Sequence, residues 1–89
     1  METIKIYIVF GESGECSGME RWMVKAFQDY SKAEILRKNA QEEADSLKIK
    51  ADHGEFGHWK AEGLNKYDKY YRMIYHEVNY DIQEIELDY

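Results

Sequence analysis

Apolar and polar residues alternate from the start of the chain. Between Thr3 and Phe10, Ile4, Ile6, Ile8 and Phe10 fall on one side at a period of two, and Thr3, Lys5, Tyr7 and Val9 fall on the other. Both sides turn apolar towards Phe10, which predicts a central strand covered by a helix on its isoleucine face. Arg21 to Phe27 repeats the alternation, with Trp22, Val24 and Ala26 on one side and Met23, Lys25 and Phe27 on the other. Its aromatic content and the helix start just downstream favour a second strand. Gly11 to Gly18 between them is a glycine-rich loop, where positive φ is readily adopted.

The period then changes. Ala33, Leu36, Ala40, Ala44, Leu47 and Ala51 recur at steps of three and four, the spacing of one helical stripe. Ser31 with Glu34 has the form of a capping box, and Tyr30 with Ile35 the spacing of a hydrophobic staple. Glu34 and Lys38 are spaced as a supporting charge pair. Gly54 is a stop signal, with His53 near the negative end of the helix dipole. The spacing predicts a helix from Lys32 to about Asp52, whose small alanines would let it lie close on a sheet.

Gly54 to Gly63 reads as a second loop. Residues 64–78 fit helix and strand alike: Leu64, Tyr67, Tyr71 and Ile74 suit the first, and Tyr71, Met73 and Tyr75 the second. Tyr80 to Leu87 reads as a strand, joined to Arg72–Val78 by a hairpin or continuous with it. No internal repeat stands out. The pattern predicts a single α+β domain over residues 1–89, with a three- to four-stranded antiparallel or mixed sheet and one long helix packed on a face.

Composition narrows the function classes. The formal charge is −6, from 18 acidic and 12 basic residues. Such a surface repels phosphate backbones, so direct nucleic-acid binding is not expected. It favours a basic partner, including the nucleic-acid groove of another protein. There is no proline and a single cysteine, Cys16, which cannot form an internal disulfide. The N-terminal stretch lacks the form of a signal peptide, and no apolar run has the length of a membrane span. A cytoplasmic protein is expected.

No catalytic constellation emerges. The Gly11–Gly18 loop lacks the Lys-Ser or Lys-Thr of a phosphate loop, and Glu12 and Glu15 would repel phosphate. Cys16 has acidic neighbours, which oppose a reactive thiolate. His53, Glu55 and His58 fall short of the ligand count of a structural zinc site. Neither metal nor cofactor is expected, and the chain does not read as an enzyme.

Aromatic residues mark the strongest candidate surface. Tyr67, Tyr70, Tyr71, Tyr75 and Tyr80 crowd one part of the chain, with acids such as Asp68, Glu77 and Asp81 among them. Tyrosine, with an apolar body and a polar tip, is enriched at interfaces. Tyr67, Asp68, Tyr70, Tyr71, Tyr75 and Glu77 are therefore the candidate partner-binding residues. An alternative use of the same region is a small-ligand (nucleotide) or metal-binding module formed by the 53–59 loop and neighbouring tyrosines.

Several segments also carry a family resemblance: Ile4–Phe10, Gly14-Glu15-Cys16-Ser17, Val24-Lys25-Ala26-Phe27, Ser31-Lys32-Ala33-Glu34 and Tyr80–Asp88. Together they resemble a loose class of small phage and prophage accessory proteins, over about half the chain. The resemblance implies a phage context, and so the host cytoplasm, where small acidic proteins bind and block host proteins, defence nucleases included. It implies no activity and no particular site residue. The expected function is thus a non-catalytic inhibitor or adaptor that occupies a basic site on a larger host protein. An exposed strand edge could also pair two copies into a homodimer.

Overall fold

A computed structural model of the chain describes residues 3–14, 19–54, 64–71 and 78–88. Among these residues three strands and one helix occur: β1 (Thr3–Ser13), β2 (Glu20–Phe27), α1 (Tyr30–Asp52) and β3 (Val78–Asp88). They form an antiparallel sheet of order β2-β1-β3 with the helix against one face. The α+β architecture matches the alternation that predicts it. No helix among the described residues is long and apolar enough to cross a membrane.

The helix begins two residues earlier than the Ser31 capping box suggests. Asp29 is the N-cap: its carboxylate accepts the Ser31 N–H at 2.8 Å, and its carbonyl accepts the Ala33 N–H at 3.2 Å. An aspartate here satisfies an orphan amide and also complements the helix dipole, which gives it the advantage over Ser31. The Tyr30–Ile35 staple does not form. Tyr30 instead meets Tyr7 edge-to-face with ring centroids 5.2 Å apart, and Ile35 stays exposed. Glu34 pairs with Arg37 at 2.6 Å, and that hydrogen bond lowers its carboxyl pKa, with Lys38 adding a smaller share.

The stripe along the helix is as the spacing predicts. Ala33, Ala40, Ala44 and Leu47 are buried and Leu36 is half-buried. The side chain of Ala51 lies outside the described residues. At the far end Gly54 adopts a φ of 78°, the left-handed geometry of a helix stop. Gln41 reaches from this stripe to the outer edge of β3, where its amide accepts the Tyr80 N–H at 2.8 Å and donates to the Val78 carbonyl at 2.9 Å. The helix thereby satisfies part of a strand edge that would otherwise be unpaired.

The helix does not cover the isoleucine face of β1. It packs over the opposite face, where Val9 is buried and Tyr7 half-buried against the helical stripe, together with Val78, Tyr80 and Ile82 from β3. Gly11 explains the choice. With no side chain at Gly11, the Trp22 ring lies flat on β1; a Cβ there would come within 2.7 Å of it. A helix lined by alanines supplies little volume of its own, so the rings of Trp22, Tyr71 and Tyr80 must fill that layer.

Strand β2 departs from simple alternation for a visible reason. The β1–β2 register shifts between Val9 and Phe10, where Val9 faces Lys25 and Phe10 faces Met23. Val24 is the extra residue of a bulge. Trp22, Val24 and Phe27 consequently all pack on the helix side, and Ala26 is exposed.

The other face of the sheet carries Ile4, Ile6, Ile8 and Phe10, flanked by Ile85 and Leu87 from β3 and by Met23 from β2. The molecule measures 54 × 27 × 15 Å. Among the described residues no element packs on this face, on which Ile4, Ile6, Phe10 and Ile85 are half-buried and Ile8 is 8% exposed. Across this face Arg21 lies over the Phe10 ring at 4.3 Å and bridges Glu12 and Asp81, each at 3.3 Å. Beyond Tyr7, where pairing with β2 ends, β1 and β3 continue as a two-stranded ribbon through Thr3 and Asp88.

Candidate functional site

Residues 65–70 read Asn-Lys-Tyr-Asp-Lys-Tyr, two triplets that differ only in Asn for Asp at the first position. Each triplet folds as an Asx turn. The Asn65 side-chain oxygen accepts the Tyr67 N–H at 2.9 Å, and Asp68 Oδ1 accepts the Tyr70 N–H at 2.9 Å. The two backbone turns are consecutive: Asn65 O accepts the Asp68 N–H and Asp68 O accepts the Tyr71 N–H, both at 3.1 Å. The first residue of each triplet points inward, and the lysine and tyrosine that follow point outward.

The inward residues pin the loop to the core. Asp68 is 1% exposed. Its Oδ2 accepts the Trp22 indole N–H at 2.8 Å and the Tyr80 hydroxyl at 2.7 Å. Asn65 Nδ2 donates to the Ala40 carbonyl at 3.0 Å and to the Tyr80 oxygen at 3.3 Å. Helix, β2 and β3 are thus joined through two loop side chains whose polar atoms are satisfied. Burial, and after it the bond to Asp68, pushes the Tyr80 pKa far above the ordinary tyrosine value. Burial also raises Tyr71, helped by the nearby acids Asp45, Asp68 and Glu43. The Tyr71 hydroxyl is buried without a hydrogen-bond partner among the described residues.

Two of the candidate partner-binding residues are therefore interior. Asp68 and Tyr71 are withdrawn from any contact surface, Asp68 because it terminates three hydrogen bonds and Tyr71 because its ring fills the space under the alanine-lined helix. Tyr67 and Tyr70 are outward, 39% and 47% exposed. Tyr75 and Glu77 lie outside the described residues, as do Cys16, Glu55, His58 and the rest of the 53–59 loop beyond Gly54. His53 is exposed. Among the described residues no group of three or more His, Cys, Asp or Glu is placed to hold a metal ion.

Removing Asp68 from the surface changes the charge around the tyrosines. Lys66 and Lys69 stand beside them, each with its ammonium over the following ring, at 5.7 Å from the Tyr67 centroid and 5.1 Å from the Tyr70 centroid. Across from the loop, Val24 and Lys25 of β2 complete a cleft of about 420 Å³ lined by Val24, Lys25, Lys66, Tyr67, Lys69 and Tyr70. Among the described residues no carboxylate lines it. Glu43 lies beside it, 3.9 Å from the Lys66 ammonium. The acidic tyrosine surface expected here is locally basic. The signal available in the sequence was the repeated triplet, because an Asx residue that leads a turn is spent on backbone amides.

Two surfaces thus stand out, on opposite sides of the molecule: the basic, aromatic cleft at the 64–71 loop and the uncovered aliphatic face of the sheet. Compared with family models, with curated proteins and with solved structures, the chain matches none.

Proposed function

We propose that the chain is a non-catalytic binding protein that docks on a larger, basic protein and acts by occupying it. The observation that carries this reading is the apolar sheet face on which no described element packs. Antiparallel sheets with one solvated face normally turn polar residues to water. Here the central strand turns Ile4, Ile6 and Phe10, all half-buried, and the buried Ile8 to that side, and Met23 and Leu87 beside them are 53% and 47% exposed. A contiguous apolar surface of this kind marks an interaction site.

Charge points to the partner. Glu12 and Asp81 lie on the same face, Glu84 and Glu86 on the ribbon behind it, and the chain as a whole carries −6. That field speeds encounter with a basic surface and holds off polyanions. The resemblance to small phage accessory proteins agrees with an inhibitor or adaptor that blocks a host protein. The buried side chains of Asn65, Asp68 and Tyr80 are committed to structural hydrogen bonds, which also favours binding over chemistry.

The test uses Met23→Glu with Leu87→Glu, two exposed positions at opposite ends of the face. Wild-type protein and the double variant are used as bait in lysate of the source cell or its host, washed at low and high salt. The expected result is one stoichiometric, salt-sensitive protein that the wild type holds and the double variant loses, with unchanged melting temperature. A partner held equally by the folded double variant overturns the reading. So does a wild-type protein that dimerises through this face and holds nothing else.

A further inference from the structure

We propose that the cleft between β2 and the 64–71 loop is a binding site for a small aromatic anion of the nucleotide class, a nucleoside mono- or diphosphate. The site is separate from the sheet face that carries the proposed function, and it stands on different residues.

The first argument is its composition. Acidic residues outnumber basic ones 18 to 12 in the chain, yet among the described residues the cleft is lined by three lysines and no acid. The acid that sequence places in the middle of the loop, Asp68, is turned inward and held there by Trp22 and Tyr80. Lys66 is loosely shared with Glu43 at 3.9 Å and remains 67% exposed, so an incoming anion can take it over. A phosphate recruited here gains charge-assisted hydrogen bonds from ammonium groups on two different elements.

The second is that the lysines and tyrosines are pre-arranged. Two consecutive Asx turns fix Lys66-Tyr67 and Lys69-Tyr70 at the same positions of a repeated unit. Opposite them, the β2 bulge at Val24 re-aims this strand so that Val24 offers an apolar wall next to Lys25. Little ordering entropy is then lost on binding. Tyr67 and Tyr70 supply flat ring surface, on which any nucleobase can stack, with a hydroxyl at the rim.

The third is size and field. A volume of about 420 Å³ lies within the ordinary range for small-ligand sites and holds a single nucleotide. A long nucleic-acid strand would have to pass along a molecule of charge −6, which the counterion-release term does not compensate. The chemistry therefore favours a short anion carrying an aromatic ring over a polymer.

The experiment follows the Tyr67 and Tyr70 amide resonances of the whole protein during titration with AMP, ADP, inorganic phosphate and a short single-stranded oligonucleotide. The proteins compared are the wild type and Lys66→Gln with Lys69→Gln. Both lysines are exposed, so the double variant is expected to keep the wild-type melting temperature. Saturable shifts with AMP or ADP are expected, at least about tenfold tighter than inorganic phosphate and weakened at least about tenfold in the variant or by raised salt. Three outcomes overturn the proposal: no saturation at millimolar nucleotide, equal affinity of the folded double variant, or phosphate alone binding as well as the nucleotide. An oligonucleotide that binds far more tightly than AMP also overturns it, in favour of a strand-binding surface. Met23→Glu with Leu87→Glu should leave these titrations unchanged, which keeps the two sites experimentally distinct.

Discussion

The two faces of the sheet are built on opposite terms. Under the helix lie small residues, aromatic rings and one buried carboxylate whose hydrogen bonds are met by Trp22, Tyr80 and a backbone amide. On the other side lies the most regular aliphatic run of the chain, tied together at one end by Arg21 across Phe10, Glu12 and Asp81. The one helix among the described residues covers a single face. It covers the face that needs geometric precision and leaves the one that is merely apolar. Specific packing and hydrogen bonding hold the helix side, while Met23 and Leu87 on the other side stay exposed.

This contrast predicts that equal-sized insults on the two faces have unequal consequences. Asp68→Ala should be the most damaging. It strips the partner from the Trp22 indole, the Tyr80 hydroxyl and the Tyr70 amide at once, each costing about 1–3 kcal/mol when buried unpaired. A loss of about 3–5 kcal/mol is expected in urea denaturation, against a total near 5–10 kcal/mol for a domain of this length. Leu87→Lys on the uncovered face should change stability by less than about 0.5 kcal/mol. Similar losses for the two variants would mean that the face taken as uncovered is packed in solution.

Gly11→Ala is the next largest. A methyl group there meets Trp22 at 2.7 Å, and the ring cannot swing away without breaking its bond to Asp68. Overpacking of this kind costs about 1–3 kcal/mol. The same substitution should also disturb the Tyr67 and Tyr70 amides, because the loop hangs from the carboxylate that Trp22 engages. A destabilised Gly11→Ala protein with unmoved loop resonances would uncouple the cleft from the core and break the account of how it is held.

The fold was legible where local rules act alone. The period of two in Thr3–Phe10 and of three to four in Ala33–Leu47 mark real elements, because pleat and helical pitch dictate them directly. What lay beyond reach was which side of a strand meets the helix. Alternation assigns residues to faces but does not rank the faces. That choice turned on Gly11 admitting Trp22 and on a bulge at Val24, two features that read as a loop glycine and an ordinary strand residue. The site was half legible. Tyr67 and Tyr70 are exposed as an interface reading requires, whereas Asp68 and Tyr71, adjacent in sequence to them, are core residues. Consecutive turns switch the direction of neighbouring side chains, so clustering in sequence did not translate into clustering on a surface. Asp68 then left the local charge balance, and the sign of the surface reversed.

The smallest effect is also the most discriminating. Tyr71 and Tyr80 are both buried under the helix, but the Tyr80 hydroxyl donates to Asp68 at 2.7 Å and accepts from Asn65, whereas the Tyr71 hydroxyl has no partner among the described residues. Tyr80→Phe should lose about 1–2 kcal/mol, and Tyr71→Phe should be neutral or slightly stabilising, since it removes only a desolvated hydroxyl. Alkaline pH provides the second axis. Burial raises both folded-state pKa values above the ordinary value of 10. The folded state therefore holds its phenolic protons more tightly than the unfolded chain, and this preference contributes fully below pH 10. As pH climbs past 10 the unfolded chain ionises first and stability falls. Each phenylalanine variant should flatten that fall, measured as the urea midpoint between pH 8 and about pH 11. A steep loss that survives in both variants would place its origin in other groups, and would remove the distinction drawn between a hydroxyl that holds the core and one that is only enclosed by it.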